Sequence, residues 1–113
     1  MHELSLAIEV IDLATREADK HKASTILEIE IEVGYLSGVE ADIFLSALQL
    51  IVKETLLENT LIRLTQTPAD GHCLGCHIHF EMKNRMDACP QCGSFPSEIT
   101  GGQEFRLVAM EVE

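Results

Sequence analysis

Residues 105–112 read Phe105-Arg106-Leu107-Val108-Ala109-Met110-Glu111-Val112, an apolar run of strand length. Its position in the chain decides the fold. It follows Gly101-Gly102 and lies beyond the segment that holds all four cysteines, Cys73-x2-Cys76 and, twelve residues on, Cys89-x2-Cys92. The run is too long and too apolar to belong to a small cysteine module. Left unpaired it would be an aggregation-prone edge. It has to pair with strands that precede the cysteines.

Such strands are legible. Leu27, Ile29, Ile31 and Val33 alternate with Glu28, Glu30 and Glu32, a strict period of two that predicts a half-buried strand with a carboxylate row facing water. Carboxylates at that spacing repel one another, so the row reads as a solvated face rather than a metal site. Residues 60–67 carry Ile62 and Leu64 on one face, a weaker second strand. Between and before these runs the period changes to that of a helix. Leu4, Ala7, Ile8, Ile11, Ala14 and Ala18 mark one amphipathic helix from Glu3 to about Lys22. Ile43, Phe44, Ala47, Leu48, Ile51 and Thr55 mark another from about Val39 to Leu57, with Ser37 as its cap. The expected fold is α+β, a three-stranded sheet with two helices. A zinc-ribbon module at 70–100 is inserted into a discontinuous domain formed by 1–69 and 101–113.

The cysteine pattern predicts a metal. Two thiolates separated by two residues converge from one tight turn, and two such turns complete the closed tetrahedral shell of structural zinc. Gly75, Pro90 and Gly93 favour those turns. Two disulfides are the alternative, but no secretory signal or secreted context accompanies them. A redox dithiol would need one pair beside a βαβ pattern. The segment also needs a metal in order to fold, because its large apolar residues are few. They are Leu74, Ile78, Phe80, Met82, Met86, Phe95 and Ile99. Zinc binding supplies folding free energy on the order of 10 kcal/mol in zinc-finger peptides.

The composition narrows the function. Hydrophobic residues make up 46% of the 113, enough for a core, and with four Phe, one Tyr and no Trp that core is aliphatic. Eight basic against nineteen acidic side chains give a net charge of −11, and zinc held by four thiolates makes it more negative. A nucleic-acid-binding ribbon needs a basic face to neutralise phosphates. Here only Lys83 and Arg85 lie between the cysteine pairs, so nucleic acid is not the expected partner. No apolar run is long enough to span a membrane. The opening Met1-His2-Glu3 is acidic where a secretory signal would be basic, which points to the cytoplasm. There is no G-x-S-x-G, P-loop, dinucleotide fingerprint or H-E-x-x-H, and a four-sulfur shell has no open position for substrate. A zinc hydrolase is therefore a poor reading, and no enzyme activity is expected.

Met1-His2-Glu3 remains. A histidine at position 2 is ordinarily just part of a frayed terminus, but its chelate geometry is specific. The Met1 amine and the His2 backbone nitrogen would close a five-membered ring on a metal. The same backbone nitrogen and His2 Nδ1 would close a six-membered one. A planar set of nitrogens suits Ni(II) or Cu(II). The Glu3 amide is close, and its carboxylate could hold the terminus or balance the ion's charge. A second residue as large as His generally blocks removal of Met1.

Taken together, several segments resemble the hydrogenase nickel-insertion accessory proteins, the HypA/HybF family. They are Met1-His2-Glu3-Leu4-Ser5, Gly34-Tyr35-Leu36-Ser37-Gly38-Val39-Glu40, the paired C-x2-C, and Cys89-Pro90-Gln91-Cys92-Gly93-Ser94 through Gly101-Gly102-Gln103-Glu104-Phe105. The resemblance spans the chain in order. It implies a metallochaperone that delivers Ni(II) to the large subunit of [NiFe]-hydrogenase. His2 would be the nickel ligand, supported by Met1 and Glu3, and Cys73, Cys76, Cys89 and Cys92 would hold Zn(II). It also implies a GTPase partner, HypB, and in some organisms urease accessory proteins. The competing reading is a zinc-ribbon adaptor between protein partners, without nickel. His72, His77 and His79 crowd the first cysteine pair, where a histidine can replace a thiolate, approach the nickel, or sit in solvent or beside the zinc sulfurs. His21, at the end of the first helix, suits the helix dipole and is assigned no function.

Overall fold

The computed structural model describes residues 2–96 and 98–113. Helix α1 (His2–Lys20) leads into strand β1 (Ile26–Gly34), helix α2 (Ala41–Ile51) and strand β2 (Leu61–Thr67). Three four-residue strands follow, β3 (Ala69–His72), β4 (His79–Met82) and β5 (Glu98–Gly101), and the chain closes with β6 (Phe105–Val112). Two three-stranded sheets result, ordered β2-β1-β6 and β4-β3-β5. The molecule is elongated, 54 × 27 × 16 Å.

The terminal run behaves as its length and polarity require. Strand β6 lies antiparallel to β1 with Ile29 opposite Met110 and Val33 opposite Phe105, while β2 runs parallel on the other side of β1. The parallel pair needs a crossover, and α2 supplies it. Ile29, Ile31 and Val33 are fully buried beneath the helices, with Ala7, Val10, Ala14 and Ala18 of α1 and Phe44 and Leu48 of α2. The small alanines let α1 approach closely. Phe44 meets Phe105 edge to face at 5.1 Å in a largely aliphatic core.

Details depart from the periodic reading. Register shifts between Ile26 and Glu28, so Ile26 enters the core and Leu27 faces out. In α1 the face rotates enough that Val10 is buried and Ile8 is exposed. Helix α2 is shorter than expected. It stops at Ile51, and Glu54 takes a left-handed conformation at φ 65°. The Thr55 hydroxyl then donates to the Val52 carbonyl inside a turn. Ser37 does not cap α2. Its hydroxyl accepts from the Val39 amide two residues on, and Glu40 occupies the cap position without a side-chain bond. The end of α1 is a Schellman closure, with Ala23 N–H on the Ala18 carbonyl at 2.9 Å and Lys22 left-handed between them. The carboxylate row is partly paired across strands, Glu28 with Arg63, and Glu32 with Arg106 at 2.7 Å.

The two sheets meet at a backbone junction. Gly34 N–H donates to the Glu104 carbonyl at 2.6 Å and Leu36 N–H to the Gly102 carbonyl at 2.7 Å. A Cβ on Gly34 would stand 2.1 Å from the Gly102 oxygen, so only glycine fits there. The Glu104 carboxylate accepts from the Thr67 hydroxyl at 2.9 Å and the Gly102 amide at 3.1 Å. Its own amide, the Thr67 hydroxyl and the Gly102 amide outweigh desolvation and hold its pKa below the usual carboxylate value.

Two outcomes follow. Gly34→Ala forces backbone apart and should cost about 3 kcal/mol or more in chemical denaturation; unchanged stability would contradict the junction. Glu104 has a folded pKa below its unfolded value, so it stabilises the fold above the unfolded pKa, and that contribution disappears as pH falls through the folded one. Glu104→Gln should therefore be less stable than the parent at neutral pH, with the gap closing in acid. A gap independent of pH would refute this role.

Candidate metal sites

The four cysteines come from two turns with the same backbone pattern. In the first, Cys73 N–H donates to the Ile78 carbonyl at 3.0 Å, and His77 N–H returns to the Cys73 carbonyl at 2.7 Å. In the second, Cys89 N–H donates to Ser94 and Gly93 N–H to Cys89, each at 2.8 Å. The fifth position of each turn is left-handed, Gly93 at φ 77° and His77 at φ 63°. Glycine adopts that conformation freely, whereas His77 does so at a cost.

These turns bring the four Sγ atoms within 4.8 Å of one another. The closest approaches cross between the turns, Cys73 to Cys92 at 3.5 Å and Cys76 to Cys89 at 3.4 Å. All four are free cysteines, and neither of these pairs stands at disulfide-bond length. Sulfurs about 2.3 Å from a tetrahedral zinc stand about 3.8 Å apart, so the cluster already has nearly the right size.

The environment favours the thiolate at two of the four, Cys89 and Cys92. The Ser94 hydroxyl and amide hold the Cys92 thiol down to about 6. At Cys89, desolvation pushes up, but the Cys92 and Gln91 amides outweigh it and the net shift is downward. Desolvation and the shared contact with Cys89 push Cys76 up to about 12. Without a cation the sulfurs compete for protons and only some ionise. A dication at their centre removes that competition and would cross-link the two turns. Among the described residues the group contains cysteines alone, so His72, His77 and His79 stand outside it.

His2 lies at the other structural landmark, the first turn of α1. Its imidazole is exposed, with Nδ1 3.7 Å from Glu3 Oε2. That carboxylate accepts from the Glu40 amide at 3.2 Å, tying the start of α1 to the start of α2. The Glu40 amide and Glu3's own amide hold the Glu3 carboxyl below its ordinary value. Met1 lies outside the described residues.

Sequence reasoning passed over one arrangement. His72 and His79 face each other across β3 and β4, their rings stacked with centroids 4.3 Å apart. Asp70 Oδ2 lies 2.7 Å from His79 Nδ1. The spacing of the two histidines flagged them only as neighbours of a cysteine pair. The contact arises from the hairpin register.

Fold and cluster together define a small α+β protein with a four-cysteine cluster, able to hold a metal ion, at the turns of a second sheet. Residues 1–112 match the family model described as "Hydrogenase/urease nickel incorporation, metallochaperone, hypA", and the chain belongs to that family. It is 34% identical over 113 residues to the hydrogenase maturation factor HypA of Alkalilimnicola ehrlichii, with all of both chains covered. It is 35% identical over 113 residues to that of Parabacteroides distasonis, covering 100% of this chain and 98% of the relative. Among solved structures, the solution structure of the Ni metallochaperone HypA from Helicobacter pylori superposes with a TM-score of 0.65 at 25% identity. It covers 97% of this chain and 96% of its own.

Replacing any one cysteine with Ala should abolish stoichiometric zinc and melt β3–β5, while far-UV circular dichroism keeps the signal of α1 and α2. A variant that retained one tightly bound zinc would rule out the four-sulfur shell. His77→Gly removes left-handed strain without touching a sulfur and should raise stability by about 1 kcal/mol; a loss would contradict that strain.

Proposed function

We propose that this protein is a cytoplasmic nickel metallochaperone that carries Ni(II) to the large subunit of [NiFe]-hydrogenase during maturation. Nickel is the cargo, bound by the Met1 amine, the His2 backbone nitrogen and His2 Nδ1. Cys73, Cys76, Cys89 and Cys92 hold a structural Zn(II). The protein binds and transfers metal and catalyses no reaction.

The observation that carries the nickel reading is the placement of His2 in the first turn of α1, with its imidazole exposed beside Glu3. The first four amides of a helix have no intrahelical acceptor, so metal can replace the His2 amide proton without breaking a helix bond. The positive end of the helix dipole disfavours a dication. Nitrogens that shed protons on binding, together with the Glu3 carboxylate, offset that cost. Glu3 is anchored through Glu40, so the chelate has a fixed base. Such a site can hand nickel on by stepwise ligand exchange. The partners implied by the family are a HypB-type GTPase that cooperates in loading nickel, the hydrogenase large subunit that receives it and, in some organisms, urease accessory proteins.

A second reading is favoured by one feature, the exposure of Leu74, Met86 and Phe95 around the cysteine turns. Apolar groups there suit docking to a protein, as a zinc-ribbon adaptor without nickel would. Blocking the amino terminus separates the two. Acetylating Met1, or inserting one residue before His2, should abolish the yellow d–d band of a planar low-spin Ni(II) complex. It should weaken that site at least about tenfold to hundredfold, since even losing an outer partner costs that much. An acetylated protein that retained the band and the affinity would overturn the terminal chelate, whereas a native protein that bound no nickel at all would leave only the adaptor reading.

A further inference from the structure

The second sheet has two unlike faces. One packs Ala69 and Met82 against Leu36 and Phe80. On the other, the register sets polar residues in two rows. Asp70 stands between Glu81 and Thr100, and His72 stands between His79 and Glu98. Directly opposed residues share a face, as do residues two apart on one strand, so two imidazoles and three carboxylates occupy one surface. Glu81, Glu98 and His79 are exposed there, within reach of solution ions.

Within this face the histidines are organised. Asp70 Oδ2 lies 2.7 Å from His79 Nδ1, and since a carboxylate only accepts, the proton sits on Nδ1 and the Nε2 lone pair is left free for a metal. A carboxylate behind an imidazole is the support that metal-bound histidines recurrently have, fixing tautomer and orientation. His72 lies parallel at 4.3 Å. Two nitrogens bonded to one ion at right angles stand about 3 Å apart, so a modest tilt brings both lone pairs to one point at the ring edges. Glu98, across from His72, can then add oxygen.

We propose that His72 and His79, with Asp70 as orienting partner and Glu98 as flanking donor, form a second metal site for a late divalent transition ion, separate from the four cysteines. Imidazole and carboxylate donors suit Ni(II), Cu(II) or Zn(II) and disfavour Ca(II) and Mg(II), which take oxygen shells. The site is open and exposed, so it exchanges metal readily. It also uses nothing from the amino terminus, so it stands or falls apart from the Met1–His2 chelate.

The test uses the zinc-loaded full chain with Met1 acetylated, titrated with Ni(II) and followed by 1H–15N NMR. A six-coordinate nitrogen–oxygen site leaves Ni(II) paramagnetic, so amide signals of residues 70–72, 79–81 and 98–100 should broaden at one equivalent while zinc stays bound. The His72→Ala/His79→Ala double variant should lose this broadening or bind at least tenfold more weakly. Asp70→Asn keeps every nitrogen and should bind about tenfold more weakly. His77→Gly should bind as the parent does. Absence of local broadening, or equal binding by the double variant with its zinc intact, would overturn the site. An unchanged Asp70→Asn affinity would overturn the role of Asp70.

Discussion

Three backbones touch where the two sheets join, and the placement of both candidate metal regions depends on that contact. Gly34 ends β1, Gly102 precedes β6, and Ala69 opens β3; a Cβ on Gly102 would stand 2.6 Å from that of Ala69. Because Gly34 has no side chain, Leu36 N–H reaches the Gly102 carbonyl, and the turn at 34–38 is clamped between the sheets. Arg85 adds a bond to the Leu36 carbonyl at 3.2 Å, and Lys83 lies over Tyr35 at 5.4 Å from the ring centre. The cysteine-bearing sheet is thus held by backbone contact and a few polar groups rather than by a shared core.

This division explains the economy of the molecule. The helix-bearing sheet buries a continuous aliphatic cluster and gains stability from it in the ordinary way. Against the second sheet the apolar cluster is small, Leu36, Ala69 and Met82, with Phe80 partly covered. So small a core does not order four-residue strands alone. Four sulfurs brought nearly to zinc-binding distance would give this half a cross-link if a metal bound them. So small an apolar cluster on one face leaves the other face of the second sheet to polar residues.

Much of this was legible in the sequence, for identifiable reasons. The terminal run and the alternation over Ile29, Ile31 and Val33 encode the first sheet, because a period of two with one buried face strongly specifies which side faces the core. The convergence of the cysteines was legible because C-x2-C geometry is local. The second sheet was not, since β3 reads Ala69-Asp70-Gly71-His72 and its pairing depends on turns that the cysteines shape. The early stop of α2 was hidden for a similar reason. Its apolar spacing continues to Leu57, which is buried from a turn rather than from the helix, while Glu54 reverses the backbone. The stack of His72 on His79 is a product of hairpin register across the first cysteine turn, and no spacing rule announces it.

The central claim is a division of labour by donor chemistry, with sulfur reserved for zinc and terminal nitrogen for nickel. X-ray absorption at both metal edges tests it on one sample, the full chain loaded with one zinc and one nickel. Four sulfurs at about 2.3 Å around zinc, and short nitrogen bonds with no sulfur around nickel, are the predicted result. Sulfur in the nickel shell, or a zinc shell lacking four sulfurs, would contradict it.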